Sequence, residues 1–153
     1  IEINFYGLPY EGFVNRIYYK FCITTAFIIS RIKANISFKF NGFVRDPFKS
    51  SYFDLCVVPS YYESFSMVTI ESLSNGIPVI VPSKSGASEI INNVKIGCSN
   101  NTNENFKLGQ LMKHFLQKNI DRKMCRKRAS EFSVEKQIIN FQSIYLHVLN
   151  MSK

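Results

Sequence analysis

The apolar and polar positions of this chain change period several times, and each change predicts a new element. Ile1 to Tyr6 alternates and stops at Gly7, as a strand running into a turn does. Glu11 to Ala34 is rich in apolar residues, with no proline and no glycine after Gly12, which predicts a long helix. Ile36 to Phe40 alternates strictly and ends at Asn41-Gly42, the pattern of an edge strand with one wet face. Asp46 to Tyr52 predicts a short helix. Leu55–Pro59 and Ile77–Val81 are apolar without a break, so they predict central parallel strands covered on both faces. A short helix from Ala87 to Asn92 and a last strand from Val94 to Cys98 follow. Beyond a polar loop from Ser99 to Asn105, helical periodicity covers Phe106–Lys118, Asp121–Glu131 and Val134–Met151. Strands alternating with helices imply an α/β fold, a doubly wound parallel sheet with right-handed crossovers.

Candidate chemistry lies between the two unbroken apolar runs. Glu63 falls in the loop at the carboxyl end of Leu55–Pro59, and Glu71 follows with seven residues between them. A helix is expected from Ser66, a hydroxyl-bearing N-cap, and Gly76 with Pro78 beyond it supplies the stop. Open α/β sheets bind ligands at the carboxyl ends of their strands, and a helix N-terminus favours an anion there. Two carboxylates beside an anion site suit a ligand with hydroxyl donors on both sides of its charge. A nucleotide-sugar is such a ligand. At about 100° per residue, Glu71 projects between Met67 and Val68, on the side those apolar residues share. A carboxylate there is costly to desolvate unless hydrogen-bond donors meet it. A single helical glutamate is ordinarily a solvated rim residue. The pair, with the strand and caps around it, favours binding instead.

Composition narrows the classes. A chain of 153 residues, 46% hydrophobic and 20% charged, reads as one soluble domain over residues 1–153 with enough length for a real core. The net charge of +8 gathers late, around Arg122, Lys123, Arg126, Lys127 and Arg128. Such a cluster suits nucleic acid, an anionic membrane surface or a phosphorylated substrate, or is simply a solvated helix face. No zinc-finger spacing, helix-turn-helix pattern or aromatic-basic stacking motif accompanies it, so no nucleic-acid partner is expected. Cys22, Cys56, Cys98 and Cys125 are widely spaced without a C-x-x-C pair, which favours reduced thiols and a cytosolic compartment. His114 and His147 have no partners at metal or triad spacing. Phe21 to Ser30 is too short for a membrane span and is closed off by Lys20, Arg31 and Lys33.

Five blocks, in order and with matching spacing, resemble the C-terminal domain of glycosyltransferase family 4. They are Phe38-Lys-Phe-Asn-Gly42-Phe-Val, Asp54-Leu-Cys-Val-Val-Pro-Ser60, Glu63-Ser-Phe-Ser-Met-Val-Thr-Ile-Glu71, Gly76-Ile-Pro-Val-Ile and Gly86-Ala-Ser-Glu89-Ile-Ile. Members are retaining, nucleotide-sugar-dependent enzymes of the GT-B fold, whose C-terminal domain is Rossmann-like. The resemblance implies that Glu63, the catalytic-site candidate, contacts donor-sugar hydroxyls near the reaction centre. It implies that Glu71 accepts hydrogen bonds from the ribose. Ser64, Phe65, Ser66, Met67 and Val68 match the loop and helix start against the donor sugar and phosphates. Phe43, Val44 and Arg45 fall where the family touches the nucleobase, and Gly86 matches a turn on the same rim. The family often has glycine at the positions of Ser64, Ser66 and Ser85.

The resemblance further implies a donor that is a UDP-sugar, with a GDP-sugar as the alternative, and an acceptor glycan or glycolipid of the cell surface. Fixed dipoles and basic side chains would offset the leaving-group charge, so no metal or other cofactor is expected. Family members begin this domain with a strand and helix carrying an Arg and a Lys for the diphosphate. That first unit is expected to be lacking here, as is the N-terminal acceptor domain, and Arg16, Lys20 and Arg45 are poor substitutes. The 153 residues alone are therefore not expected to catalyse transfer. The expected place is the cytoplasm, with peripheral contact at the inner face of the cell membrane. The competing class is a basic nucleic-acid or membrane-surface module without catalysis.

Overall fold

The computed structural model describes residues 1–7, 13–32, 35–50, 52–60, 63–100, 105–118 and 120–151. Contacts gather the chain into two compact units, Ile1–Ser51 and Tyr52–Lys153.

In the first unit, β1 (Glu2–Phe5) pairs in parallel with β2 (Ser37–Phe40), Glu2 opposite Ser37 and Phe5 opposite Phe40. The strict alternation predicted from Ile36 to Phe40 appears as one wet face: Ser37 and Lys39 are exposed, Phe38 and Phe40 half-buried. Cross-strand pairs hold the register. The Phe5 and Phe40 rings stack with centroids 4.8 Å apart, and Lys39 Nζ meets Glu2 Oε2 at 2.8 Å. That exposed ion pair draws the Glu2 carboxyl below its ordinary range, its hydrogen bond to Lys39 being the main cause. The long helix α1 (Phe13–Ile32) lies inside the predicted span. The predicted ends at Glu11, Gly12 and Ala34 lie outside the described residues. Among its described side chains Ala26 is buried, while Phe27, Ile28, Ile29 and Ile32 are exposed. The short helix expected from Asp46 contracts to α2 (Pro47–Ser50).

The second unit holds a three-stranded parallel sheet in the order β3 (Cys56–Val57), β4 (Val79–Pro82), β5 (Gly97–Asn100). Unbroken apolar sequence has the predicted consequence at β4, where all four residues are buried, but Leu55–Pro59 gives only the two half-buried residues of β3 at the edge of this sheet. The last strand begins three residues later than Val94, because Asn93 and Ile96 close a turn first. Helices α3 (Met67–Ser74), α4 (Ala87–Ile90), α5 (Asn105–Gln117), α6 (Arg122–Ser130) and α7 (Val134–Met151) complete the unit. The middle of the predicted polar loop, residues 101–104, lies outside the described residues. The core joins the sheet to α3, α4 and α6 through Val58, Leu73, Val79, Val81, Ala87, Ile90, Ile96, Cys125 and Ala129. Mixed α/β architecture with parallel sheets and intervening helices is the expected fold class.

Helix α6 owes its start to Asp121, whose carboxylate accepts from the N–H groups of Lys123 and Met124 at 3.0 and 3.1 Å. Helix α7 buries none of its residues, and Ile138, Phe141, Tyr145 and Val148 are exposed. Among the described residues no helix is long and apolar enough to cross a membrane.

Candidate functional site

Because β3 and β4 are parallel, the segments after them leave the same edge of the sheet, each leading into a helix N-terminus. After β3 come Glu63, half-buried, and then Ser64 and Phe65, both exposed. Ser66 is buried, and its Oγ accepts from the Thr69 N–H at 3.3 Å, confirming it as the N-cap of α3. Among the described residues nothing accepts from the N–H groups of Met67 or Val68. They belong to the first-turn donors that an α-helix leaves without intrahelical partners. At the other end Gly76 has φ 77°, the left-handed conformation that ends a helix without a steric penalty.

One part of the helical reading is corrected. The side shared by Met67, Val68 and Glu71 was expected to carry a desolvation cost, but it faces solvent. Met67 is 58% and Val68 47% exposed, and Glu71 is exposed with them. The buried face of α3 is instead Thr69, Ser72 and Leu73, packed toward β4 and α6. Ser72 fits that interior because its Oγ donates to the Ile77 carbonyl, 3.2 Å away, whereas the buried Thr69 hydroxyl has no partner among the described residues. No hydrogen bond or ion pair engages the Glu63 or Glu71 carboxylate among the described residues. An open face with two exposed apolar side chains and an unpaired carboxylate, next to free first-turn N–H groups, can receive a polar ligand with a flat apolar part.

The segment after β4 buttresses the Glu63 loop through backbone. Gly86 N–H donates to the Glu63 carbonyl at 2.9 Å. A Cβ on Gly86 would sit 1.7 Å from the Ser64 carbonyl oxygen, so only glycine admits this approach. Ser85 is buried, its Oγ bonded to the Pro82 carbonyl at 2.8 Å. The structure thus brings Glu63, Ser64, Phe65, Ser66, Met67, Val68, Glu71 and Gly86 onto one edge of the second unit. Phe43, Val44 and Arg45 belong to the first unit, where all three are exposed on the segment after β2.

Sequence reasoning left the late basic cluster without a role in this site, and the structure gives three of its arginines specific partners. Arg126 donates to the Asn75 carbonyl at 3.2 Å and Arg122 to that of Gly76 at 3.5 Å, both at the C-terminal end of α3. Arg122 also lies 3.5 Å from an Asp54 carboxylate oxygen. Cations there complement the negative end of the helix dipole. Arg128 donates to the carbonyls of Ile90 at 2.7 Å and Glu89 at 3.0 Å, pairs with Glu131, and lies 4.7 Å from the centre of the Phe132 ring. Phe132 in turn meets Phe65 of the Glu63 loop, ring centroids 5.8 Å apart. The small residues Cys125 and Ala129, one turn apart in α6, were the available signal that this face packs inward.

The thiols are quiet. Burial pushes Cys56 up to about 11, against a smaller opposing hydrogen bond from Ser72. Cys125 is likewise pushed to about 11, mainly by burial, and Cys98 upward for the same reason. Among the described residues no three His, Cys, Asp or Glu side chains converge as a metal site.

A 55-residue segment is 46% identical to a protein of Methanocaldococcus jannaschii named "Uncharacterized glycosyltransferase MJ1607", covering 34% of this chain and 14% of that protein. The chain thus matches a small part of that relative's length. The family model described as "Glycosyl transferases group 1" matches residues 31–132, a span that includes the Glu63 loop, α3, the Gly86 turn and α6. Since that match covers most of the chain, the chain belongs to the group 1 glycosyl transferases.

Proposed function

We propose that this chain is the donor-binding part of a retaining glycosyltransferase that takes a nucleotide-diphospho-sugar, a UDP-sugar ahead of a GDP-sugar. The observation that carries the proposal is the Ser66-capped N-terminus of α3, flanked by the unpaired carboxylates of Glu63 and Glu71. The diphosphate lies against the first-turn N–H groups of Met67 and Val68, where the helix dipole favours negative charge. Glu71, one turn along the exposed face, accepts from the ribose hydroxyls. Glu63, before the helix, accepts from donor-sugar hydroxyls on the reacting side. As the sugar leaves, charge grows on the diphosphate, and oriented dipoles already in place stabilise it without reorganising. Phe43, Val44 and Arg45 are assigned to the nucleobase by family resemblance. No metal enters the proposal. The acceptor is a cell-surface glycan or glycolipid held by another part of the enzyme. The proposed location is cytoplasmic, with peripheral membrane contact; the four unpaired cysteines suit a reducing compartment.

The competing basic-module reading loses support because Arg122, Arg126 and Arg128 are engaged with backbone carbonyls. Lys123 and Lys127 are the cluster's remaining cations. UDP and GDP should be titrated into the gene product containing this chain, beside a short DNA duplex and anionic vesicles. Saturable nucleotide binding with little duplex binding is expected, and any vesicle binding should leave nucleotide affinity unchanged. Salt-sensitive duplex binding without nucleotide binding would overturn the proposal.

A further inference from the structure

We propose that Arg128 and Phe132 are positioning residues for the Glu63 loop, reaching it along two separate routes from the end of α6. The inference rests on the donor-site reading above and adds residues to it.

The first route runs through backbone. The Arg128 guanidinium donates to the last carbonyls of α4, those of Glu89 and Ile90. Four-residue helices have almost no internal hydrogen bonding, so α4 keeps its place only through outside partners. At its other end Gly86 caps α4 with no side-chain hydrogen bond, and its N–H is given to the Glu63 carbonyl instead. Anything that shifts α4 along its axis therefore moves the acceptor-bound N–H that fixes Glu63. Ser85 anchors the same turn from below through the Pro82 carbonyl, and Ser88 Oγ closes back on the Ser85 carbonyl at 2.7 Å. Arg128 is the one charged group holding the far end of this piece among the described residues.

The second route runs through rings. The same guanidinium packs on the Phe132 ring, and Phe132 meets Phe65, two residues beyond Glu63. Stacking on a cation fixes the plane of Phe132, and a tilted aromatic pair transmits that placement to Phe65. Phe65 is otherwise largely exposed, so Phe132 is its described ring partner. Glu131 completes the arrangement by pairing with Arg128 and limiting its rotamers. A planar fork with several donors can hold two carbonyls, a carboxylate and a ring face together. A lysine ammonium lacks the plane and the fork.

The test uses the gene product containing this chain as wild type, Arg128→Lys, Arg128→Gln and Phe132→Leu. Amide exchange without ligand is followed at Gly86, bonded to Glu63, and at Val79, bonded to Ile96 across the sheet. Arg128→Gln should speed exchange at Gly86 by about tenfold while Val79 keeps its wild-type rate. Arg128→Lys should fall between, since one of the two carbonyl bonds can be remade. Phe132→Leu should raise the mobility of Phe65, read by NMR relaxation, and leave Gly86 exchange near wild type, separating the two routes. Wild-type exchange at Gly86 in Arg128→Gln would overturn the backbone route. If Arg128→Gln also accelerates Val79, the lysine variant decides, because wild-type Gly86 exchange there would equally contradict a two-carbonyl clamp. UDP and UDP-glucose then serve as probes. Arg128→Gln should weaken UDP-glucose several-fold more than UDP, because the loop rather than α3 is disturbed; equal losses would contradict loop positioning. If wild type binds neither UDP nor GDP, the donor-site reading fails while the exchange result still stands or falls by itself.

Discussion

The first unit and the sheet of the second bury their apolar residues differently, although α7 of the second unit is as open as the described side chains of α1, and the difference locates where function can be built. In the first unit, β1 and β2 present alternating sequence, and Phe5, Tyr6, Phe27, Ile28, Ile29, Ile32 and Phe43 are exposed. In the second, β4 is enclosed on both faces, Ile80 within it included, and Leu73, Ile90 and Ile96 are fully buried around it. A two-stranded sheet has little capacity to stabilise itself, whereas a buried central strand anchors the helices beside it. Side chains that must hold a ligand in fixed geometry need rigid supports. The Glu63 loop and α3 have one: α3 packs on α6 and β4, and the loop rests on Gly86.

Removing core volume should separate the units most. Leu73→Ala should cost about 2–5 kcal/mol, since a fully buried leucine leaves a cavity the sheet cannot fill. Native-state exchange at Val79 would register it. Phe5→Ala removes an aromatic pair on a half-wet ladder and should cost only about 1 kcal/mol, read at the Asn41 amide that donates to the Phe5 carbonyl. Equal losses would erase the distinction between the units.

A smaller effect sharpens the comparison at the site. Gly86→Ala forces a Cβ into the Ser64 carbonyl and should destabilise by roughly 1–3 kcal/mol, with loss of nucleotide binding. Gly109 lies in α5 with nothing within 4 Å of its Cβ direction, so Gly109→Ala should stabilise by about 0.4–1 kcal/mol. Chemical denaturation and UDP titration of both variants give the answer. A harmless Gly86→Ala would mean that the loop does not rest on this turn.

The remaining effect is alkaline. Cys56 and Cys125 have folded pKa values near 11, above their ordinary value of 9.0, so the unfolded chain ionises first. Their contribution is complete below about pH 9 and is lost as pH rises toward 11. Urea midpoints should fall over that window, and replacing both thiols by alanine should flatten the fall. An unchanged slope would show that these groups do not titrate with unfolding. Both belong to the second unit, so the loss should be felt there.

The second unit was the more legible in sequence, for a physical reason. The run Ile77–Val81 became the buried β4 as expected, while Leu55–Pro59 gave only a short half-buried edge strand, and Ser66 and Gly76 mark the ends of α3 by hydroxyl capping and positive φ. Periodicity alone could not say which side of α3 is buried. Met67 and Val68 are apolar yet exposed, while Ser72 and Thr69 are polar yet buried, because α6 packs on that face. The roles of Arg122, Arg126 and Arg128 were hidden for the same reason. A basic helix looks solvated until its carbonyl partners, 38 or more residues away in sequence, are brought beside it.

The exposed face of α3 as a ribose site is the claim on which the account turns, and one double comparison tests it. UDP and 2′-deoxy-UDP should be titrated into wild type and Glu71→Gln of the gene product containing this chain. If Glu71 accepts from the ribose, the substitution should weaken UDP by about 1–3 kcal/mol, as expected for hydrogen bonds to a charged group. Removal of the 2′-hydroxyl should then cost wild type much affinity and Glu71→Gln little more. Equal losses on the two backgrounds would contradict the assignment of Glu71 to the ribose.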